Sequence, residues 1–315
     1  YDDSQQDSSR DEARLQKMSS QGGALVIIDN GSRAADRVLL EPASLAHGWE
    51  LIKNADNLGL GAALNQGVRR LAGLGFRWAL LFDQDSLPAT DMSERMIEAL
   101  QRHAEPTRVA VIGPRFEDVS TGRPHRVLMQ HPRCPGLFRK VEIGREDIPD
   151  VSMVITSGSL VRVADFETLG GFDEKFFIDY IDTDFCLRCR KLGRLIAVSA
   201  TARLDHSLGD REKRRWLGIE IETTNHSALR HYYIARNRIP MIARHAWREP
   251  HWFLFDCAAA GLWIFRVLAA EGQKGRKLLA MVLGTWDGLL GRSGPCPERR
   301  QRMLGTEAAD AKIRN

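Results

Sequence analysis

Residues 77–85 read RWALLFDQD, an almost unbroken apolar run that stops at two aspartates, Asp83 and Asp85. A short apolar run closed by turn residues reads as a buried strand. In a wound α/β sheet, ligands bind beyond the carboxyl ends of the strands. The run therefore predicts an Asp-x-Asp pair at the rim of such a sheet. Two carboxylates there suit a hard divalent cation shared with substrate phosphates. The plainer reading is a loop that happens to contain two acids, and the position straight after a strand favours the functional one.

Outward from this strand the pattern alternates. Upstream, 24–29 (ALVIID) is a β-rich run ending in Asn30-Gly31-Ser32, 49–53 is a short strand, and 60–74 has helical spacing. Downstream, 91–103 reads as a helix with an acidic first turn and 108–112 as a strand. Next come a strand at 151–156, a helix at 182–192 and a strand at 195–198. Strands alternating with helices predict an α/β fold with a mostly parallel sheet flanked by helices. The stretch 116–150, rich in Pro, Arg and His, predicts hairpins or loops over a site. From about 227 only helices are expected, at 227–245, 252–270 and 274–290. Residues 1–23 are polar, forming at most an exposed helix, and lack a targeting pattern.

Composition narrows the classes. The chain has 315 residues, 43% hydrophobic and 27% charged, which excludes disorder, collagen and coiled coil as the main state. Five cysteines in a chain of this length argue against a disulfide framework and for a reducing cytoplasm. The most apolar stretch, 252–270, carries Asp256 and Arg266 and is a poor membrane span. Residues 201–315 hold 20 Lys+Arg against 12 Asp+Glu, whereas 1–200 hold 25 against 29. A basic end serves nucleic acid, anionic lipid or a phosphorylated ligand, unless it is only an evenly solvated surface.

Other residues invite chemistry. Asp29, at a strand's carboxyl end, suits a base or ribose, or else forms an Asx turn. In 57–67 (NLGLGAALNQG), small residues at a helix start allow close approach to a ligand, and Asn65 faces the same way as Gly61. The stretch 176–185 (FFIDYIDTDF) places Asp179, Asp182 and Asp184 before and within a helix start. Asp182 is a candidate general base, and Asp184 a helix cap. His206 follows a strand, where a metal ligand or a structural imidazole both fit. Cys186 and Cys189 have zinc-like spacing without a second pair and read as helix residues.

The ordered set VIIDNGS (26–32), NLGLGAALNQG, LLFDQDS (80–86), TSGSLVRVADFETLGGFDEKFFIDYIDTDFCLRCRKLG (156–193) and LDHS (204–207) resembles family 2 inverting glycosyltransferases of the GT-A fold. The forms LFDQDS, FIDYIDTDFCLR, HSLGD and RHYYIARN, with GTWDGLLGR at 284–292, look more narrowly like bacterial L-rhamnosyltransferases of O-antigen and rhamnolipid synthesis. The resemblance implies a nucleotide-diphospho-sugar transferase fold over 24–226 and a helical, membrane-proximal C-terminal region over 227–315. It implies that Asp29 and Asn65 contact the nucleoside, and that Asp83 lies by the ribose and diphosphate. It makes Asp85 a metal ligand, Asp182 the base, His206 a residue near the metal, and Gly158 part of the acceptor-side loop. The Glu that usually precedes the base is Ile181 here. Family members open with an apolar strand before the one at 24–29, and nothing earlier in this chain reads as that strand.

The expected reaction moves L-rhamnose from a dTDP-sugar donor to a hydroxyl of a glycolipid or lipid-linked saccharide, aided by Mg²⁺ or Mn²⁺. The expected location is the cytoplasmic face of the bacterial inner membrane, held peripherally by an anionic surface, with no nucleic acid partner. For that role the large aromatic and aliphatic residues of 252–270 are flanked by Arg211, Lys213, Arg214, Arg215, Lys274, Arg276 and Lys277. Two rivals are a metal-dependent nucleotidyltransferase, which would release pyrophosphate, and a sugar-nucleotide-binding protein without turnover.

Overall fold

The computed structural model describes residues 3–32, 34–118, 126–206, 212–216, 219–223 and 225–305. In chain order the first elements are α1 (Asp3–Ser19), β1 (Val26–Asn30), α2 (Ala34–His47), β2 (Glu50–Asn54), α3 (Leu60–Gly73), β3 (Trp78–Leu80), β4 (Leu87–Pro88) and α4 (Met92–Arg102). There follow β5 (Val109–Asp118), β6 (Arg126–Gln130), β7 (Phe138–Glu142), β8 (Leu160–Arg162), α5 (Val163–Leu169), α6 (Ile181–Lys191) and β9 (Leu195–His206). The chain continues through β10 (Glu212–Trp216), β11 (Ile219–Thr223), α7 (Ala228–His245), α8 (Pro250–Ala270), α9 (Lys274–Leu289) and α10 (Glu298–Met303).

The α/β expectation holds, with a mixed rather than mostly parallel sheet. Strands β1 and β2 pair in parallel, from Val26↔Glu50 to Asn30↔Asn54. A five-stranded sheet runs β3-β8-β5-β9-β4. Within it β5 and β9 are parallel, while β3–β8, β5–β8 and β4–β9 are antiparallel. The reversals come from two short strands that return against their neighbours with no βαβ crossover, β8 between β3 and β5 and β4 at the edge beside β9. Among the described residues no strand precedes β1, and α1 occupies that part of the chain.

The strand expected at 151–156 is a buried irregular segment. Its amides go to different partners, Val151 to the Ile196 carbonyl and Ser152 to that of Leu128, each at 2.8 Å. An extended run whose bonds diverge cannot form one ladder. The strand lies just beyond, at β8. The helix α2 was not singled out in the sequence. The stretch 116–150 does contain a hairpin, β6–β7.

The core lies between the large sheet and α6, where Val111, Val161, Phe166, Phe172, Phe185 and Ile196 are each at most 4% exposed. Both Cys186 and Cys189 sit in this core on α6, as helix residues. Burial raises the Cys186 thiol to about 12. A thiol so shielded is an inert packing group.

Candidate active site

At the rim of the large sheet the Asp83–Ser86 turn follows β3, closed by the Ser86 amide on the Asp83 carbonyl at 3.1 Å. Gly158 lies against it, donating its amide to the Leu81 carbonyl at 2.6 Å. The Asp83 amide reaches the Ser157 hydroxyl at 3.4 Å, and the Ser86 and Ser157 hydroxyls are in contact. Gly158 has φ +74°, and a Cβ there would stand 2.6 Å from the Leu204 side chain. Only glycine lets the 156–159 loop seat this closely. Asp85 is exposed at the tip. The β4–β9 register pairs Leu87 with Asp205, the residue before His206, where β9 ends. The side chain of His206 lies outside the described residues.

Asp29 is the penultimate residue of β1 and is 3% exposed. Its Oδ1 accepts the Ser32 amide at 2.8 Å, so the Asx turn forms. The neighbouring Asn30 donates to Asn57 Oδ1 at 3.0 Å and to the Gly59 carbonyl at 3.2 Å.

The start of α3 approaches protein, not open space. The Leu60 amide donates to the Phe177 carbonyl at 2.7 Å. Gly59 has φ +89°, and a Cβ there would meet the Phe177 carbonyl at 2.8 Å. The small residues of 57–67 thus admit the 173–177 loop. Asn65 is 1% exposed and spans the same junction. It donates to the Phe172 carbonyl at 2.9 Å and to Glu174 at 2.7 Å, and accepts the Phe172 amide at 2.8 Å. Its amide is committed to the chain itself, which does not match the nucleoside contact expected of it.

That loop leads to Asp182. Phe177, Asp179 and Tyr180 have φ of 66°, 61° and 65°, left-handed values costly for residues with a Cβ. Such a backbone persists only where its surroundings over-determine it. Here α7 supplies the restraint. Asn237 Nδ2 donates to the carbonyls of Phe176 at 2.9 Å, Ile178 at 2.6 Å and Asp179 at 3.2 Å. Arg236 adds a bond to Phe176 at 2.7 Å. Tyr180 donates its hydroxyl to Asp256 at 2.7 Å, and Arg238 holds the other Asp256 oxygen at 2.6 Å. Neither the clamp nor Asp256 was foreseen. Their signal in the sequence is only polar residues inside helices.

Asp182 occupies the first turn of α6. Its Oδ1 accepts the Thr183 amide at 2.7 Å. Burial, and then the charge of Asp179, raise its pKa above the ordinary carboxylate range against the Thr183 hydrogen bonds. A carboxylate made more basic in this way, yet retaining some exposed surface, can accept a proton from a bound hydroxyl. Asp184 is different. It is fully buried, held by Arg188 at 2.6 Å, Arg244 at 2.6 Å and His245 at 2.9 Å. It ties α6 to α7. The 320 Å³ crevice beside Asn65 and Arg244 is likewise lined by mutually paired groups, such as Arg244 with Asp173 at 2.9 Å.

Three comparisons place this arrangement among known proteins. Residues 17–170 match the family model Glycosyl transferase family 2. The dTDP-rhamnosyl transferase RfbF of Shigella flexneri is 27% identical over 289 residues, which cover 90% of this chain and 91% of RfbF. S. aureus TarS 1-349, solved in complex with UDP-GlcNAc, superposes with a TM-score of 0.55 at 15% identity, over 93% of this chain and 79% of that one. The mannosyltransferase PcManGT from Pyrobaculum calidifontis, solved with GDP-Man and Mn²⁺, gives 0.52 at 13% identity, over 90% and 84%. Residues 17–170 thus carry the sequence pattern of glycosyl transferase family 2, and the chain has the fold of the GT-A glycosyltransferases.

Proposed function

We propose that the protein transfers a rhamnosyl group from dTDP-rhamnose to a hydroxyl of a glycolipid or lipid-linked saccharide, with inversion, at the cytoplasmic face of a bacterial membrane. The observation that carries the chemistry is Asp182, a carboxylate of raised pKa in the helical turn that directly follows a strained, clamped loop. The likeness to RfbF over nine-tenths of the chain supports the donor.

In the proposed step the acceptor oxygen attacks the anomeric carbon while its proton passes to Asp182. The bond from that carbon to the diphosphate breaks, and its electron pair leaves with dTDP. A single displacement inverts the configuration. Asp29 and Asp83 line the nucleoside and diphosphate side of this reading, with Gly158 seating the acceptor-side loop. Asn65 acts by holding the 172–177 segment.

Among the described residues no three metal-ligating side chains converge. A cation shared with the donor's phosphates needs only one or two protein ligands, and exposed Asp85, joined by His206 from the end of the strand that pairs with β4, is such a donor set. A Mg²⁺ or Mn²⁺ held there would supply positive charge against the departing diphosphate. Replacing Asp85 by Ala is expected to remove the Mg²⁺-dependent part of dTDP affinity, read by calorimetric titration with and without the metal. Equal metal dependence in parent and variant would remove Asp85 from this role.

The helical region from 227 belongs to the catalytic unit in this reading, since α7 holds the loop before Asp182. A donor screen tests the substrate. Consumption of dTDP-rhamnose is expected to exceed that of UDP-GlcNAc and GDP-Man at least about 10-fold. Equal or better use of either rival would overturn the assignment.

A further inference from the structure

The helix α8 has two unlike sides. Its 21 residues span about 31 Å at 1.5 Å per residue. One side packs inward through Trp252, Asp256, Ala260 and Val267. Asp256, the only acid in the helix, is 7% exposed and bound to Tyr180 and Arg238. The outer side shows Leu254, Leu262, Ile264 and Leu268, each 41–50% exposed. No acid interrupts that outer side, and the basic residue of the helix, Arg266, lies at its margin. By length and composition α8 suits a membrane span. The Asp256 bonds pin it to the catalytic loop instead, so it lies along the protein surface.

A cationic cluster adjoins this face. The β6–β7 hairpin packs on α8, with the Phe138 and Phe255 ring centroids 5.5 Å apart. Lys140 Nζ stands 4.8 Å from the Phe255 ring centroid. Burial, and then the nearby charges of Arg126 and Arg266, lower the Lys140 pKa. Arg126, Lys140 and Arg266 come from three elements, and among the described residues none has a carboxylate within ion-pair distance. Glu142, opposite Arg126 in the hairpin register, does not close on it. Like charges gathered without counter-ions repel one another and attract a polyanion. These cations differ from those expected from sequence. Arg211, and the side chains of Lys213, Arg214 and Arg215, lie outside the described residues.

We propose that the outer side of α8, with Arg126, Lys140 and Arg266 at its edge, docks on an anionic lipid bilayer, the helix lying parallel to the surface. Apolar area and adjoining unpaired cations are the two terms of interfacial binding. The proposal deepens the reading of a lipid-linked acceptor, because such an acceptor is met at that surface. It also gives the Tyr180–Asp256 bond a use, since the docked helix then bears directly on the loop before Asp182.

The test is flotation of the protein with phosphatidylcholine vesicles, with and without phosphatidylglycerol, at low and high salt. The wild type is expected to float with the anionic vesicles at low salt and to be released at high salt. Combined Arg126→Ala, Lys140→Ala and Arg266→Ala should weaken partition about 10²-fold. Ile264→Asp with Leu268→Asp, on exposed positions, should abolish it. Inorganic phosphate should release no more protein than chloride at equal ionic strength, which separates a bilayer from a phosphate site. A wild type that stays at the bottom of the gradient with both vesicles overturns the proposal, and so does a triple variant that floats as well as the parent. Calorimetric dTDP binding, measured on the same proteins, separates the two readings. Binding without flotation removes only the docking surface, and flotation without binding removes only the donor assignment.

Discussion

Asp182→Asn is expected to lower turnover about 10²–10⁴-fold with dTDP affinity close to the parent's. The substitution keeps the size of the side chain and an oxygen able to accept the Thr183 amide, now at 2.7 Å. It removes only the capacity to take a proton. The clamp from Asn237 acts on main-chain carbonyls and stays as it is. A base must be ionised to work, and burial raises the pKa of this one. The acidic limb of kcat/KM in the parent should therefore fall above the ordinary carboxylate range, and activity should be lost as pH drops through it. The same shift acts oppositely on stability. Since the folded state holds this proton more tightly than the unfolded one, the Asp182 contribution is present at low pH and lost as pH rises through the raised value. Near-normal turnover in Asp182→Asn would remove it as the base.

Asp184→Ala should instead unfold the protein readily, with a loss of about 3–5 kcal/mol of stability in urea titration. The carboxylate is wholly buried, and its removal takes the carboxylate partner from both His245 and Arg188, leaving Arg188 only the carbonyls of Leu169 and Gly171. Burial alone would raise its pKa, but His245, Arg188 and Arg244 outweigh burial and lower it. Its stabilisation is thus present above the ordinary carboxylate range and is lost as pH falls through the lowered value. Two acids two residues apart on one helix then have opposite failures, one chemical and one structural. A stable but inactive Asp184→Ala would contradict this division.

The sequence carried the order of elements and the rim position of Asp83 and Asp85, because apolar runs and turn residues are local signals. It also carried the α6 start and the placement of Cys186 and Cys189 on that helix, which follow from helical periodicity. What it did not carry was the destination of polar side chains. Asn65 bonds a peptide 107 positions away, and Asn237 bonds carbonyls about 60 positions away. Nothing in their neighbourhoods distinguishes these partners from a ligand. For the same reason the glycines of 57–67 correctly announce a close approach but not what approaches. The segment at 151–156 has the apolar content of a strand, yet its amides divide between two neighbours, a fact of tertiary placement. The sheet's mixed direction likewise depends on the return strands β4 and β8, each too short to leave a strand pattern.

The central claim, a single displacement at the anomeric carbon driven from Asp182, is tested most directly by a proton NMR time course of dTDP-rhamnose with an acceptor glycolipid. The account predicts that dTDP accumulates in step with a new glycosidic linkage whose anomeric configuration is opposite to the donor's, and that Asp182→Asn stops both. Release of pyrophosphate in place of dTDP, or a product that keeps the donor's configuration, would contradict it.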